Sequence, residues 1–148
     1  MRTIVSGLVS SAALAVAAGC GGSSDRLSRE ELVSEADAIC AQYEDELESL
    51  AQPENIQDLD RLVENAKPIV ESGLEELRGL EPPEDLEDQY DEWISRTEEN
   101  VDRLDELGEA VADRDEQRIG EVVGEIQQTE EEADELAGEI GLQDCASD

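Results

Sequence analysis

The stretch Ile56–Leu80, IQDLDRLVENAKPIVESGLEELRGL, places apolar or small residues at Ile56, Leu59, Val63, Ala66, Val70, Gly73, Leu77 and Leu80. The steps alternate between three and four residues. This is the ~3.5-residue repeat of a helix packed nearly parallel or antiparallel to a neighbour. Most positions between the stripe residues are charged or amide side chains, so one face is apolar and the rest is wet. Pro68 falls inside the run. It lacks an amide donor and crowds the preceding turn, so a kink or a split is expected there.

Three more stripes flank this one. Upstream, Ser28 with Glu31 three residues on is a capping-box pattern. It opens the run Leu32, Ala36, Ile39, Tyr43, Leu47, Leu50, which Pro53 closes. Downstream, Pro82-Pro83 punctuates the chain, and Glu84 and Asp85 suit a first helical turn. The third stripe reads Leu86, Tyr90, Trp93, Thr97, Val101, Leu104, then Leu107 or Gly108, then Val111. Asp113 or Asp115 can cap the fourth, which runs Ile119, Val122, Ile126, Thr129, Ala133, Leu136, Ile140 and stops at Gly141. No useful length alternates with period two. The expected fold is all-α: an antiparallel up-down four-helix bundle over residues 28–148. The alternative is a three-helix bundle with the first segment short or loosely packed.

The core of such a bundle is thin, with one Trp, two Tyr and no Phe. Small domains of this kind often need a staple. Cys40 stands beside Ile39 on the first stripe, and Cys145 follows the last helix. In an up-down-up-down bundle the end of the chain returns to the level where the first helix began. A Cys40–Cys145 disulfide is therefore expected, with the tail climbing about three turns along the first helix. A redox-active or nucleophilic thiol is the alternative, but it would need a base or cation to lower its pKa, and the chain has no His.

The third cysteine, Cys20, ends a 15-residue apolar run, Ile4–Ala18, that lies behind Arg2. That run is shorter than the about 20 residues a helix needs to span a bilayer. It has the layout of a secretory signal. Ala17-Ala18-Gly19-Cys20 resembles the lipobox of bacterial lipoproteins. The resemblance implies cleavage between Gly19 and Cys20, diacylglycerol on Cys20, and a lipid anchor on the extracytoplasmic face of the cell membrane. Here Ala17 stands where such motifs usually have Leu. The alternative is ordinary secretion with cleavage after Ala15-Val16-Ala17. On the first reading residues 1–19 are a signal peptide and residues 20–27 are the lipidated Cys and a flexible tether. Acylating Cys20 also leaves Cys40 and Cys145 as an even pair.

Charge narrows the function. All 42 carboxylates lie downstream of residue 19 with nine of the ten cations, leaving that portion at a net charge of −33. Nucleic acid, which is bound by cations that displace counterions, is not an expected partner. Adhesion to anionic headgroups is disfavoured for the same reason, so contact with the membrane falls to the anchor. Acidity with few aromatics can also signal disorder, against which the four stripes stand. A further reading of the acidity is salt adaptation.

Without His, the Ser-His-Asp and Cys-His mechanisms and the H-E-x-x-H zinc site are excluded. Di-iron bundles need Glu-x-x-His pairs. An EF-hand read from Asp113 fails at Arg118 and Gly124, where Gly and Glu are required. No cofactor or metal site and no catalytic residue is expected. Trp93 is expected to be a core anchor. Gly120 and Gly124 are expected to mark close approach of a neighbouring helix. Glu130-Glu131-Glu132 with Asp134-Glu135 is read as a solvated face, or else as an attractor of Ca²⁺ or a basic peptide.

Ala17–Ser24, Ala36-Asp37-Ala38-Ile39-Cys40, Leu80-x-Pro82-Pro83 with Tyr90, and Cys145 together resemble the small helical lipoproteins of actinobacteria and related high-GC bacteria. That resemblance implies an extracytoplasmic helical domain and brings no activity with it. The expected function is a non-enzymatic, lipid-anchored interaction or structural module at the cell envelope, with a protein partner. The alternative is a binding protein for divalent cations or cationic peptides, with a transporter accessory as one form of it.

Overall fold

The computed structural model describes residues 26–146. The signal segment, the Gly19–Cys20 cleavage point and the lipidation site Cys20 lie outside the described residues. Four helices follow one another: α1 (Arg29–Glu48), α2 (Ile56–Arg78), α3 (Glu87–Asp113) and α4 (Glu116–Ile140). Sequential helices pack on one another, and short connections make them antiparallel neighbours. The bundle is all-α, with no strand among the described residues.

The helix ends follow from local chemistry. Ser28 caps α1 with the reciprocal box: its hydroxyl accepts the Glu31 N–H at 3.3 Å, and its own N–H donates to the Glu31 carboxylate at 2.9 Å. The side chain of Asn55 accepts the Gln57 and Asp58 amides to start α2. Between the two candidate aspartates, Asp115 caps α4 by accepting the Arg118 N–H at 3.0 Å, while Asp113 is the last residue of α3. Gly141 ends α4 at φ 104 and Arg114 ends α3 at φ 57, a left-handed position occupied without glycine.

In three places the structure departs from the expectations. First, α2 runs unbroken through Pro68. Pro68 and Glu64 are both exposed, so the carbonyl that loses its amide faces water. Packing of Val63, Gly73, Leu74 and Leu77 holds the helix on either side. Second, α3 begins at Glu87, not at Glu84. The Leu86 amide bonds the Pro83 carbonyl at 2.9 Å, which makes a separate turn before the helix. Third, Gly120 and Gly124 mark no close approach. Both are exposed, and a Cβ built on either meets nothing within 4 Å. The close approach is at Gly73, where a Cβ would stand 2.9 Å from the ring of Tyr43.

The core has two parts. One end of the bundle buries residues of all four helices: Leu32 and Ala36 of α1 pack with Leu74, Leu77, Tyr90, Trp93, Ala137 and Ile140. Trp93 is 3% exposed, and its ring centre lies 5.4 Å from that of Tyr90, tilted at 52°, which makes it the expected anchor. The Tyr90 hydroxyl donates to the Leu77 carbonyl at 2.8 Å, so its polar end is satisfied inside. The other end is built from α2, α3 and α4 alone: Val63, Leu107, Val111 and Val122, flanked by Ile56, Leu59, Leu104, Ile119 and Ile126. The architecture is therefore the four-helix one, with the buried residues of the second part of the core drawn from three of the four helices.

Ion pairs follow the same division. Lys67–Asp105 and Arg78–Glu98 join α2 to α3, and Arg96–Glu132, Arg103–Glu125 and Arg118–Glu106 join α3 to α4. Among the described residues none joins α1 to another helix.

Candidate functional site

α1 is the weakest partner in the bundle, and the site arises from that weakness. Beyond Ala36 none of its residues is fully buried. Its second half is held by a few specific contacts. Tyr43 lies against Gly73 and donates from its hydroxyl to Glu76 at 2.7 Å, a bond that with Glu76's charge pushes the phenol up to about 12. The sulfurs of Cys40 and Cys145 lie at disulfide distance, 2.06 Å, as expected from the stripe, and join residues 105 apart. Asp37 adds a clasp: one of its carboxylate oxygens accepts the amides of Gln143 at 2.8 Å and Asp144 at 3.1 Å. The tail is thus pinned along the first half of α1, and Leu142 is buried beneath it.

Past this clasp α1 stands off from α4 and leaves a gap. The residues that would have to fill it are small: Ala66 on α2, Thr97 on α3 and Ala133 on α4. The result is a cavity of about 430 Å³ whose wall includes Leu47, Val70, Trp93, Val101, Leu104 and Ile126. A second hollow of about 420 Å³ opens on the α2 side and shares Cys40, Leu47, Val70, Leu77, Thr97 and Cys145 with the first. The two are openings of one gap beneath α1.

Polar groups in this gap are mainly acceptors. The side-chain oxygen of Asn100 is shielded from solvent and has no hydrogen-bond partner among the described residues. The Thr97 hydroxyl is already committed to the Trp93 carbonyl at 3.1 Å. On the α4 side stand Glu130 and Asp134. Burial against the apolar wall, and then the neighbouring Asp134 charge, hold the Glu130 carboxyl above the ordinary range. The acidic run read as one solvated face therefore divides: Glu132 pairs with Arg96 at 3.5 Å, while Glu130 and Asp134 line the gap.

At the amino-terminal side the chain is tied to the bundle from Arg26. Its guanidinium donates to the Pro82 carbonyl at 2.9 Å and pairs with Glu87, which holds the Glu87 carboxyl below the ordinary range. The Leu27 amide bonds the Glu81 carbonyl at 2.8 Å. No group of three or more metal-ligating side chains converges among the described residues. No described helix is long and apolar enough to cross a membrane.

Asn100 and Arg26 were not singled out from sequence, and Asp37 only as part of the Ala36–Cys40 segment, with no role given to its carboxylate. Asn100 had a faint signal: it precedes Val101 on the third stripe, a polar side chain beside a seam otherwise filled by apolar or small residues. Compared with family models, with curated proteins and with solved structures, the chain matches none.

Proposed function

We propose that this protein is a non-enzymatic interaction module, held on the extracytoplasmic face of the cell membrane by a lipid on Cys20. The observation that carries the interaction part is the gap beneath α1. It is a largely apolar cavity of about 430 Å³ in a bundle otherwise stapled by interhelical ion pairs. Cavities of this size and character are where ligands and partner side chains are received. Support for the location comes from the ends of the chain. The signal-like segment stops at Cys20, and a Cys40–Cys145 pair at bonding distance suits an oxidising compartment. One acyl chain would anchor only marginally; a diacylglyceryl group supplies two.

Intact mass spectrometry of the mature chain tests the location. A chain beginning at Cys20 and carrying the mass of a diacylglyceryl group is expected. A chain beginning at Ala18, free of lipid, would establish ordinary secretion instead and remove the anchor.

A further inference from the structure

We infer that the gap beneath α1 is a binding pocket for a small amphiphilic cation, a ligand with an aliphatic body and one ammonium group. This inference rests on the interaction-module reading and names the chemistry that the cavity selects.

Three observations carry it. The first is enclosure. All four helices of this chain supply wall to the gap: Leu47 from α1, Val70 from α2, Trp93 and Val101 from α3, and Ile126 from α4. The space left between them, about 430 Å³, is that of a small organic molecule and falls within the usual size of ligand pockets. The second is the surface of that wall, which is mostly aliphatic or aromatic. Water gains little against it, so an aliphatic body that displaces the water is favoured.

The third is charge. The charged side chains at one opening are Glu130 and Asp134, those at the other are Glu44 and Asp144, and no Arg or Lys lines either. Among the described residues the carboxylates of α4 that form ion pairs are Glu121, Glu125 and Glu132. Glu130 is not one of them, and the α3 cations Arg96 and Arg103 are engaged with Glu99, Glu125 and Glu132. Glu130 is exposed at the mouth, where a ligand can reach it. An ammonium group is attracted there, and an anion of the same shape is repelled at both openings.

The ¹⁵N-labelled full chain is titrated with octylamine in zwitterionic nanodiscs, and empty discs give the share of amine taken up by lipid. Trp93 is the one tryptophan of the chain and lines the gap. Its indole N–H is therefore a single reporter, and the unlabelled scaffold is silent. Saturable one-to-one binding is expected, moving the Trp93 signal with the amides of Ala66, Val101 and Ala133 and persisting in about 0.3 M salt. Octanol, of the same length without the charge, should bind about fivefold more weakly, matching the ~1 kcal/mol upper range of an exposed ion pair. Glu130→Gln, a change at an exposed position, should lower octylamine to the affinity of octanol and leave octanol unchanged. Ala66→Leu, which fills the cavity, should weaken both.

Octylamine and octanol binding equally, and both lost in Ala66→Leu, would leave a cavity without preference for a cation and overturn this inference alone. Shifts that never saturate and spread over the whole acidic surface would overturn it in favour of charge attraction. An amphipathic Leu/Lys helix that displaces octylamine at far lower concentration, or sedimentation showing two copies joined over the gap, would overturn it in favour of a macromolecular occupant. Silence towards both amine and alcohol would remove the gap as a binding site and the interaction reading with it, while intact mass still reads the anchor independently.

Discussion

Glycine in a helix costs roughly 1 kcal/mol relative to alanine unless its missing side chain serves a neighbour. Gly73 serves one, because the Tyr43 ring occupies the space a Cβ would need. Gly120 and Gly124 serve none, since nothing lies within 4 Å of a Cβ on either. Gly120→Ala and Gly124→Ala should therefore each stabilise the protein by about 1 kcal/mol in chemical denaturation. Gly73→Ala should forfeit that gain, because the ring must shift and loosen its bond to Glu76. Equal effects at the three positions would mean that α1 does not rest on α2 as described. This is also where sequence was least legible. G-x-x-x-G spacing and a stripe glycine look alike in one dimension, and only the neighbouring side chain distinguishes them. The same limit hid Asp37, an ordinary helix-surface aspartate until the returning tail presents two amides to it.

Among the elements, α2, α3 and α4 were readable because their stripes are continuous and their caps are local: Asn55, Asp115 and Gly141 each act within a few residues of their own position. What was not readable was how far α1 keeps company with α4, since that depends on the volume of facing side chains and not on period. The four-helix reading is the one the structure bears out, with α1 supplying buried residues to only one part of the core. α1 is joined to the rest by the buried Leu32 and Ala36, by Tyr43, by Arg29 reaching the Ile140 carbonyl at 3.3 Å, and by the tail with its cysteine pair. Removing the pair by Cys40→Ser opens a 105-residue loop closure, and losses of about 2–4 kcal/mol are typical for such a bridge. The loss should be local before it is global. Amides of residues 29–48 and 141–146 should exchange with solvent faster, while those of α3 and α4 around Leu107 and Val122 keep their protection. Uniform acceleration along the whole chain would show that α1 and the three-helix core open as one unit.

For the whole molecule the governing quantity is charge. Exposed carboxylates stand four apart on the same helix at Glu44 and Glu48, Glu71 and Glu75, and Glu131 and Glu135. Each such pair opposes the helix by a few tenths of a kcal/mol, and salt screens it. Salt also weakens the interhelical pairs, but only a handful of cations take part in those, against 42 carboxylates. Repulsion wins, so the melting temperature should rise by about 5 °C or more between low salt and 1 M NaCl; a flat or falling curve removes salt adaptation as an account of the acidity.

Acid should act in the same direction at first. Glu130 titrates above the ordinary glutamate value in the folded chain. Between the ordinary value and that raised one the folded state holds more protons than the unfolded state, so stability falls as pH rises through the window. Glu31 and Glu87 are shifted the other way, by the Ser28 hydrogen bonds and by Arg26. Their contribution is present above the ordinary value and is lost as pH drops through their lowered ones. The melting temperature should therefore climb as pH falls through that window, pass a maximum near the ordinary carboxylate range, and decline in stronger acid. Glu130→Gln should flatten the climbing limb and leave the acid decline in place. A variant that instead keeps the climb unchanged would show that Glu130 is as well solvated as its neighbours, and that the apolar wall beside it does not raise its carboxyl.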